Sequence, residues 1–200
     1  MTTDQLIAFC AFAAISSITP GPNNTMVLAS GLNHGFHRSL PHIAGISIGF
    51  AILVLGTGAG LHAVFTAVPP LQTLLKYGGA LYLLWLAWKL ARSGPMQDNN
   101  AQGAERPMSF LGAAAFQWIN PKAWVMAVGA VTTYLPHAFG LADAMLMAAV
   151  YGAICAPCVA AWAGCGVALR GWLQDPRAVR IFNLTAAALL VASLYPMLQH

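Results

Sequence analysis

The chain has 200 residues, of which 58% are hydrophobic and only 7% charged, against about 25% charged in a soluble domain. A soluble fold of this size could not bury so much apolar surface, so the composition points to an integral membrane protein with no separate soluble domain. The net charge of +4 makes no case for nucleic acid, because the few Lys and Arg stand beside apolar segments, where membrane orientation explains them.

In chain order, residues 1–5 carry Asp4 and no basic run, so no cleavable leader is expected and the first apolar segment stays in the protein. A bilayer crossing needs about 20 apolar residues, and such runs lie at 5–30, 42–65, 70–91, 109–134, 143–168 and 178–198. They predict an all-α polytopic membrane protein, one membrane domain over 1–200 with six transmembrane helices. The stretch 92–108, rich in Gly, Asn, Gln and Pro, reads as a cytoplasmic linker between two three-helix units, 1–91 and 109–200. Three is odd, so a duplicated unit of three spans has to be inverted in the membrane.

Arg38 falls between spans one and two, Lys89, Arg92 and Arg106 flank the linker, and Arg170, Arg177 and Arg180 bracket the last turn. These loop cations all lie on one side, which the positive-inside rule assigns to the cytoplasm, so both termini face outward. A re-entrant first span is the alternative topology. Trp85 and Trp88 beside Lys89, and Trp172 beside Arg170, suit an aromatic belt on the cationic side.

Span one is interrupted at 19–24 by Thr-Pro-Gly-Pro-Asn-Asn. Each proline lacks an N–H and clashes with the preceding turn, and the residue before it is pushed out of helical space. In lipid, backbone groups released this way must be satisfied by protein or by a water-lined cavity. Span four carries a counterpart, Asn120-Pro121-Lys122. Asn is a strong N-cap and Pro is favoured at the first helical position; Pro22 after Gly21 has the same form. Interrupted spans in corresponding places of two halves point to a transporter's binding site, and half-helix N-termini near mid-membrane suit a carboxylate.

Lys122 lies about 18–20 Å from either end of its span at 1.5 Å per residue, too deep to snorkel easily. An intramembrane cation is functional by default; the bland alternative is a structural lysine held by carbonyls at the span-one break. The candidate substrate-binding residues are therefore Pro20, Gly21, Pro22, Asn23, Asn24, Asn120, Pro121 and Lys122. A zwitterion would set its carboxylate on Lys122 and the helix N-termini, and its ammonium on carbonyls left unpaired near Ile18, Thr19 and Ile119.

Other features read as structural. Gly45, Gly49, Gly56 and Gly60 in span two, Gly78 and Gly79 in span three, and Gly152, Gly164 and Gly166 in span five suit close helix packing. Lys76, about 9 Å into span three, snorkels. His34, His37, His42, His62, His137 and His200 lie in or next to loops, where surface or interface roles are expected, and no metal-ligand context is evident. Asp143 reads as an interfacial cap. Cys155 and Cys158 form a C-x-x-C, but a reactive pair needs an exposed, electropositive helix start. Mid-span cysteine behaves as a small hydrophobe, and Pro157 between them reads as a kink. No catalytic residue and no cofactor motif is evident.

Three stretches resemble a known family. Residues 17–50, S-I-T-P-G-P-N-N-T-M-V-L-A-S-G-L-N-H-G-F-H-R-S-L-P-H-I-A-G-I-S-I-G-F, are similar to the first two spans of the LysE/RhtB amino-acid exporters. Residues 78–92, G-G-A-L-Y-L-L-W-L-A-W-K-L-A-R, resemble the end of their third span, and residues 116–129, with Asn120-Pro121-Lys122, their fourth. The resemblance covers most of the chain and is weakest in the last two spans. It implies a bacterial inner-membrane permease that exports amino acids or close derivatives, driven by the proton gradient, with Pro20, Gly21, Pro22, Asn23, Asn120, Pro121 and Lys122 as its functional core. The T-P-G-P-N-N variant and the L-A-W-K ending look most like the branch exporting cysteine and O-acetylserine.

The expected partners are a small amino-acid-like solute, protons and the lipid bilayer; a homo-oligomer is left open. Proton coupling meets one difficulty: Asp4, Asp98, Glu105, Asp143 and Asp175 all fall outside the predicted spans, whereas proton relays commonly use a buried carboxylate. Lys122 is then the group expected to exchange the proton, or to exchange proton for substrate. The alternative function is a membrane thiol-disulfide electron carrier using Cys155/Cys158. A structural or assembly protein leaves the mid-membrane cation without a role, and a passive pore lacks a run of polar residues threading the spans.

Overall fold

The computed structural model describes residues 3–61, 69–92, 107–135, 140–172, 175–192 and 194. Among them all regular structure is helical. Helix α1 (Thr3–Ile18) stops before Pro20, and α2 (Pro22–His34) restarts with Pro22 in its first turn. The two meet at 57°. Gly35, with φ 82°, turns the chain directly into α3 (Phe36–Gly56), which continues as a π-turn, Thr57–Leu61. Only glycine takes that backbone geometry without strain.

Helix α4 (Pro69–Arg92) ends the first half. In the second, α5 (Phe110–Phe116) starts on Ser109, whose hydroxyl accepts from the Gly112 N–H at 3.1 Å. Turns at 117–119 lead to Asn120 and α6 (Pro121–Tyr134). Helix α7 (Leu141–Trp172) runs through Pro157, and α8 (Pro176–Ala192) follows. Both polypeptide breaks expected from the proline motifs are present, and the chain is an all-α polytopic membrane protein. Phe36–Gly60 and Leu141–Arg170 are each long and apolar enough to cross a bilayer, and α1 with α2 makes a third if the bent pair is one crossing.

Helices α3 and α7 pack on each other at the centre, as do α4 and α8 at one flank. Helix α7 also holds α1 and α2, while α3 holds α5 and α6. Exchanging the two halves therefore maps these principal contacts onto one another. The halves are not equal, however. Ten of the thirteen α2 residues are buried, against Ala123, Ala127 and Ala130 in α6. Val125, Leu111, Leu81 and Ile181 project outward as an apolar surface, as a helix facing hydrocarbon does.

Two apolar clusters flank the breaks. One centres on Tyr151, which meets Phe9 and Phe50 edge-on at 5.6 and 4.7 Å. The other joins Met26 and Phe116 to Leu83, Leu86 and Leu190. At the end of α4, Arg92 stands 4.4 Å over Trp88 and Lys89 5.7 Å over Trp85. Asp143 caps α7, accepting from the Gly140 N–H at 2.9 Å. The side chains of Lys76, Gly79 and Trp172, and residues His62, His137 and His200, lie outside what the structure describes.

The glycine expectation divides. A Cβ on Gly166 would strike the Leu28 backbone, one on Gly45 the Phe110 carbonyl and one on Gly49 the Ala114 backbone, while Gly152 meets Ala51. Gly164, Gly78 and Gly60 face no atom within 4 Å of a built Cβ, so those three do not serve close packing. Two substitutions should therefore shift stability in opposite directions. Gly166→Ala forces α2 and α7 apart and should cost about 1–3 kcal/mol. Gly164→Ala should be neutral or gain up to about 1 kcal/mol from helix propensity. Thermal unfolding midpoints in detergent, compared between the two variants, check the prediction.

Candidate functional site

A helix that stops inside a membrane leaves its last carbonyls without intrahelical donors. At the end of α1 the chain supplies them from several directions. The Thr19 hydroxyl donates back to the carbonyl of Ile15 or Ser16, at 2.7 and 2.8 Å. The Asn24 amide reaches over the break to the Ser17 and Thr19 carbonyls, both at 2.8 Å. The Trp162 indole on α7 donates to Ile18 at 3.0 Å. Lys122 Nζ donates to the Thr19 carbonyl at 2.5 Å and to Pro20 at 3.2 Å. The lysine side chain thus crosses from the second break to the first.

Gly21 makes room for this crossing. Its φ of 176° is extended backbone open to any residue. A Cβ there, however, would fall 2.7 Å from Lys122 Cδ and 3.2 Å from Nζ. No side chain caps α2. The start of α6 is closed by Asn120 Oδ1, which accepts from the Lys122 backbone N–H at 3.2 Å. Of the two helix starts, then, α2 is the one that presents an uncapped end.

A second link joins the breaks. Asn23 and Gln117 exchange amide hydrogen bonds, Asn23 Nδ2 to Gln117 Oε1 at 2.8 Å and Gln117 Nε2 to Asn23 Oδ1 at 3.1 Å. Gln117 also donates to the Ala113 carbonyl at 2.8 Å, which anchors it to α5. A small cavity of about 20 Å³ lies beside this pair, lined in part by Gly21, Asn23, Asn24, Asn120 and Lys122. That volume is about one water molecule. The buried Ser17 hydroxyl on its wall has no hydrogen-bond partner among the described residues. Ser16 accepts from the Tyr151 hydroxyl at 2.6 Å while donating to the Phe12 carbonyl at 2.6 Å.

The predicted residues are thus brought together, but with different duties. Asn24 ties the broken backbone, and Pro20 contributes its carbonyl to Lys122. The carbonyls of Ile18 and Thr19, expected to be unpaired, are already occupied by Trp162, Asn24 and Lys122. In this conformation Lys122 has the contacts of the structural lysine considered from the sequence. Gln117, Ser17 and Trp162 were missed. Gln117, a polar side chain one turn before Asn120 inside an apolar run, was the legible signal; nothing local marked Trp162. His42 is a correction: expected at a surface or interface, it is 2% exposed, because α3 starts at Phe36 and carries it into the bundle. The cysteines are free, Cys155 buried, Cys10 and Cys158 half-buried, Cys165 exposed.

The LysE type translocator family model matches residues 14–193. The chain is 36% identical over 163 residues to a cysteine/O-acetylserine efflux protein of Escherichia coli O157:H7, covering 78% of this chain and 82% of that protein. The proteins of the same description from Escherichia coli K12 and Shigella sonnei Ss046 are 35% identical over the same shares. No solved structure matches the chain.

The contact between Gly21 and Lys122 is open to a double-mutant cycle. Gly21→Ala should lower stability by displacing the ammonium from its carbonyls, and the same change in a Lys122→Ala background should cost much less. Unfolding midpoints for the four proteins should give a coupling of about 1 kcal/mol or more, within the range for residues in contact. Additive effects would show that Gly21 does not make room for this side chain.

Proposed function

The chain belongs to the LysE type translocator family, and from that premise we propose a secondary exporter of small neutral amino acids, O-acetylserine and cysteine among them, in the bacterial inner membrane. The family and the efflux proteins it is similar to make it a transporter of amino-acid-like solutes and not an enzyme. The finer reading is carried by one observation: the Lys122 ammonium bridges the two breaks by holding the Thr19 and Pro20 carbonyls.

A carboxylate is the stronger partner for an ammonium, since it adds the attraction of opposite charges to a hydrogen bond that a neutral carbonyl also accepts. An arriving substrate carboxylate takes Lys122 from the carbonyls, aided by the uncapped N-terminus of α2. Releasing Thr19 and Pro20 unlocks the joint between α1 and α2. The substrate's ammonium finds the unpartnered Ser17 hydroxyl, because the carbonyls first expected to receive it are occupied. The cavity beside Lys122, about 20 Å³, has room for a water and not for an amino acid, which fits a closed state of the site. Pro20, Gly21, Pro22, Asn23, Asn24, Asn120, Pro121 and Lys122 form the substrate site on this reading.

The remaining spans belong to the same proposal. Six crossings, arranged as inverted repeats 1–91 and 109–200 around the linker 92–108, are supported by the exchange symmetry of the helix contacts. The loop cations set both termini outside. Export is driven by the proton gradient, and with no described acidic side chain lining the cavity, Lys122 is the group that trades proton for substrate.

Counterflow of labelled O-acetylserine in proteoliposomes tests the reading. The parent protein should exchange it, faster with an imposed pH gradient, and Lys122→Gln should lose at least tenfold in rate. Lys122→Gln exchanging at the parent rate, with the same pH dependence, would overturn the assignment of Lys122. Replacing all four cysteines by serine should leave counterflow intact; loss of activity would instead favour thiol chemistry at Cys155 and Cys158.

A further inference from the structure

A second, larger cavity of about 380 Å³ lies at the end of the bundle where α4 carries Lys89. Its walls include Ser30, Asn33, His42, Tyr82, Trp85 and Lys89. Sites for small molecules typically run from about 300 to 1,000 Å³, so this cavity can take an amino acid and the one beside Lys122 cannot. The two are close. Asn23 lines the small cavity and Met26, three residues further and about 4.5 Å along the α2 axis, lines the large one. Asn23, on the wall of the small cavity, is the residue that Gln117 holds.

His42 is the unexplained group in this wall. It is 2% exposed, and neither ring nitrogen has a hydrogen-bond partner among the described residues. A buried polar group without a partner is costly. A neutral imidazole has one donor and one acceptor, and here both are unspent beside a cavity large enough for a ligand. Nearby, Ser39 spends its hydroxyl hydrogen on the Gly35 carbonyl at 2.9 Å, so Ser30 donates to Ser39 at 2.7 Å and keeps lone pairs to offer.

The rest of the lining selects by charge. His34 and Lys89 line the cavity, and no described acidic side chain does. A carboxylate is attracted, and a basic side chain meets no described group that would neutralise it. Tyr82 and Trp85, stacked at 5.4 Å, with Met26 and Leu190, give an uncharged side chain an apolar seat.

We propose that this cavity is a loading site for neutral zwitterionic amino acids and their O-acyl derivatives, held by His42 and Ser30 before transfer past Asn23 and Gln117 to Lys122. The site rests on the export reading, in which the cationic end faces the cytoplasm. It discriminates against lysine and arginine before the mid-membrane site is reached.

Protection from labelling tests the proposal in the full chain in lipid nanodiscs, with the four cysteines replaced by serine and Met108→Cys, also on the wall, as reporter. O-acetyl-L-serine should slow reaction with a maleimide at least fivefold, and L-lysine at the same concentration should not. His42→Phe should abolish the protection, and His42→Gln, which keeps a donor and an acceptor, should restore part of it. Adding Lys122→Gln should retain protection while counterflow is lost. That result separates the two sites. An unchanged labelling rate with O-acetylserine, or equal protection by lysine, overturns the loading site even if counterflow behaves as proposed above. Full protection in a correctly folded His42→Phe protein removes His42 from it. Should both His42 variants fail to fold, the comparison of O-acetylserine with lysine in the reporter background decides alone.

Discussion

The structure depends on where the carbonyls of the span-one break go. From Ile15 to Pro20, six consecutive acceptors lie at or beyond the end of a helix, in a solvent that offers no water. Each left unpaired would cost several kcal/mol in hydrocarbon. Thr19 and Asn24 serve Ile15, Ser16, Ser17 and Thr19 from within the motif. Trp162 and Lys122 serve Ile18, Thr19 and Pro20 from two other helices. The break is therefore a joint to which α2, α6 and α7 are all fastened.

This arrangement gives the two halves of the chain unequal parts. Helix α2 is nested among α3, α7 and α8 and carries residues of both cavities. Helix α6 is mostly half-buried and contributes a capped start with one long cation. The glycines at which α2 meets α7, Gly31 and Gly166, bring backbone against backbone. Contacts of that kind resist bending and permit whole helices to move as bodies. On the proposed function, the unwound segments are where the chain would move, exchanging hydrogen bonds to Lys122 and Gln117 for bonds to a solute.

Several features were legible in the sequence because they follow from local chemistry. Pro20, Pro22 and Pro121 cannot continue a helix, Asn120 caps one, and the apolar runs are long. Other features were not legible. His42 follows a proline, near Arg38 in a stretch that reads as a loop, and the direct Gly35 turn pulls it inside. Gln117 is a polar residue inside an apolar run, but its partner Asn23 lies 94 positions away and only folding brings the two together. Glycine spacing identified close packing at Gly45, Gly49 and Gly166 but not at Gly164, since spacing carries no information about which face meets a neighbour.

The sequence by itself determined that the chain lives in a membrane, that its helices are interrupted at two proline motifs, and that a lysine accompanies the second interruption. These are consequences of backbone sterics and of the cost of charge in hydrocarbon, both local quantities. Only the tertiary structure decided that the lysine reaches the first interruption, that Gly21 clears its path, and that a buried histidine faces a cavity large enough for a solute. Those facts depend on which helix lies beside which, and residues about a hundred positions apart are brought together by packing that no local pattern encodes.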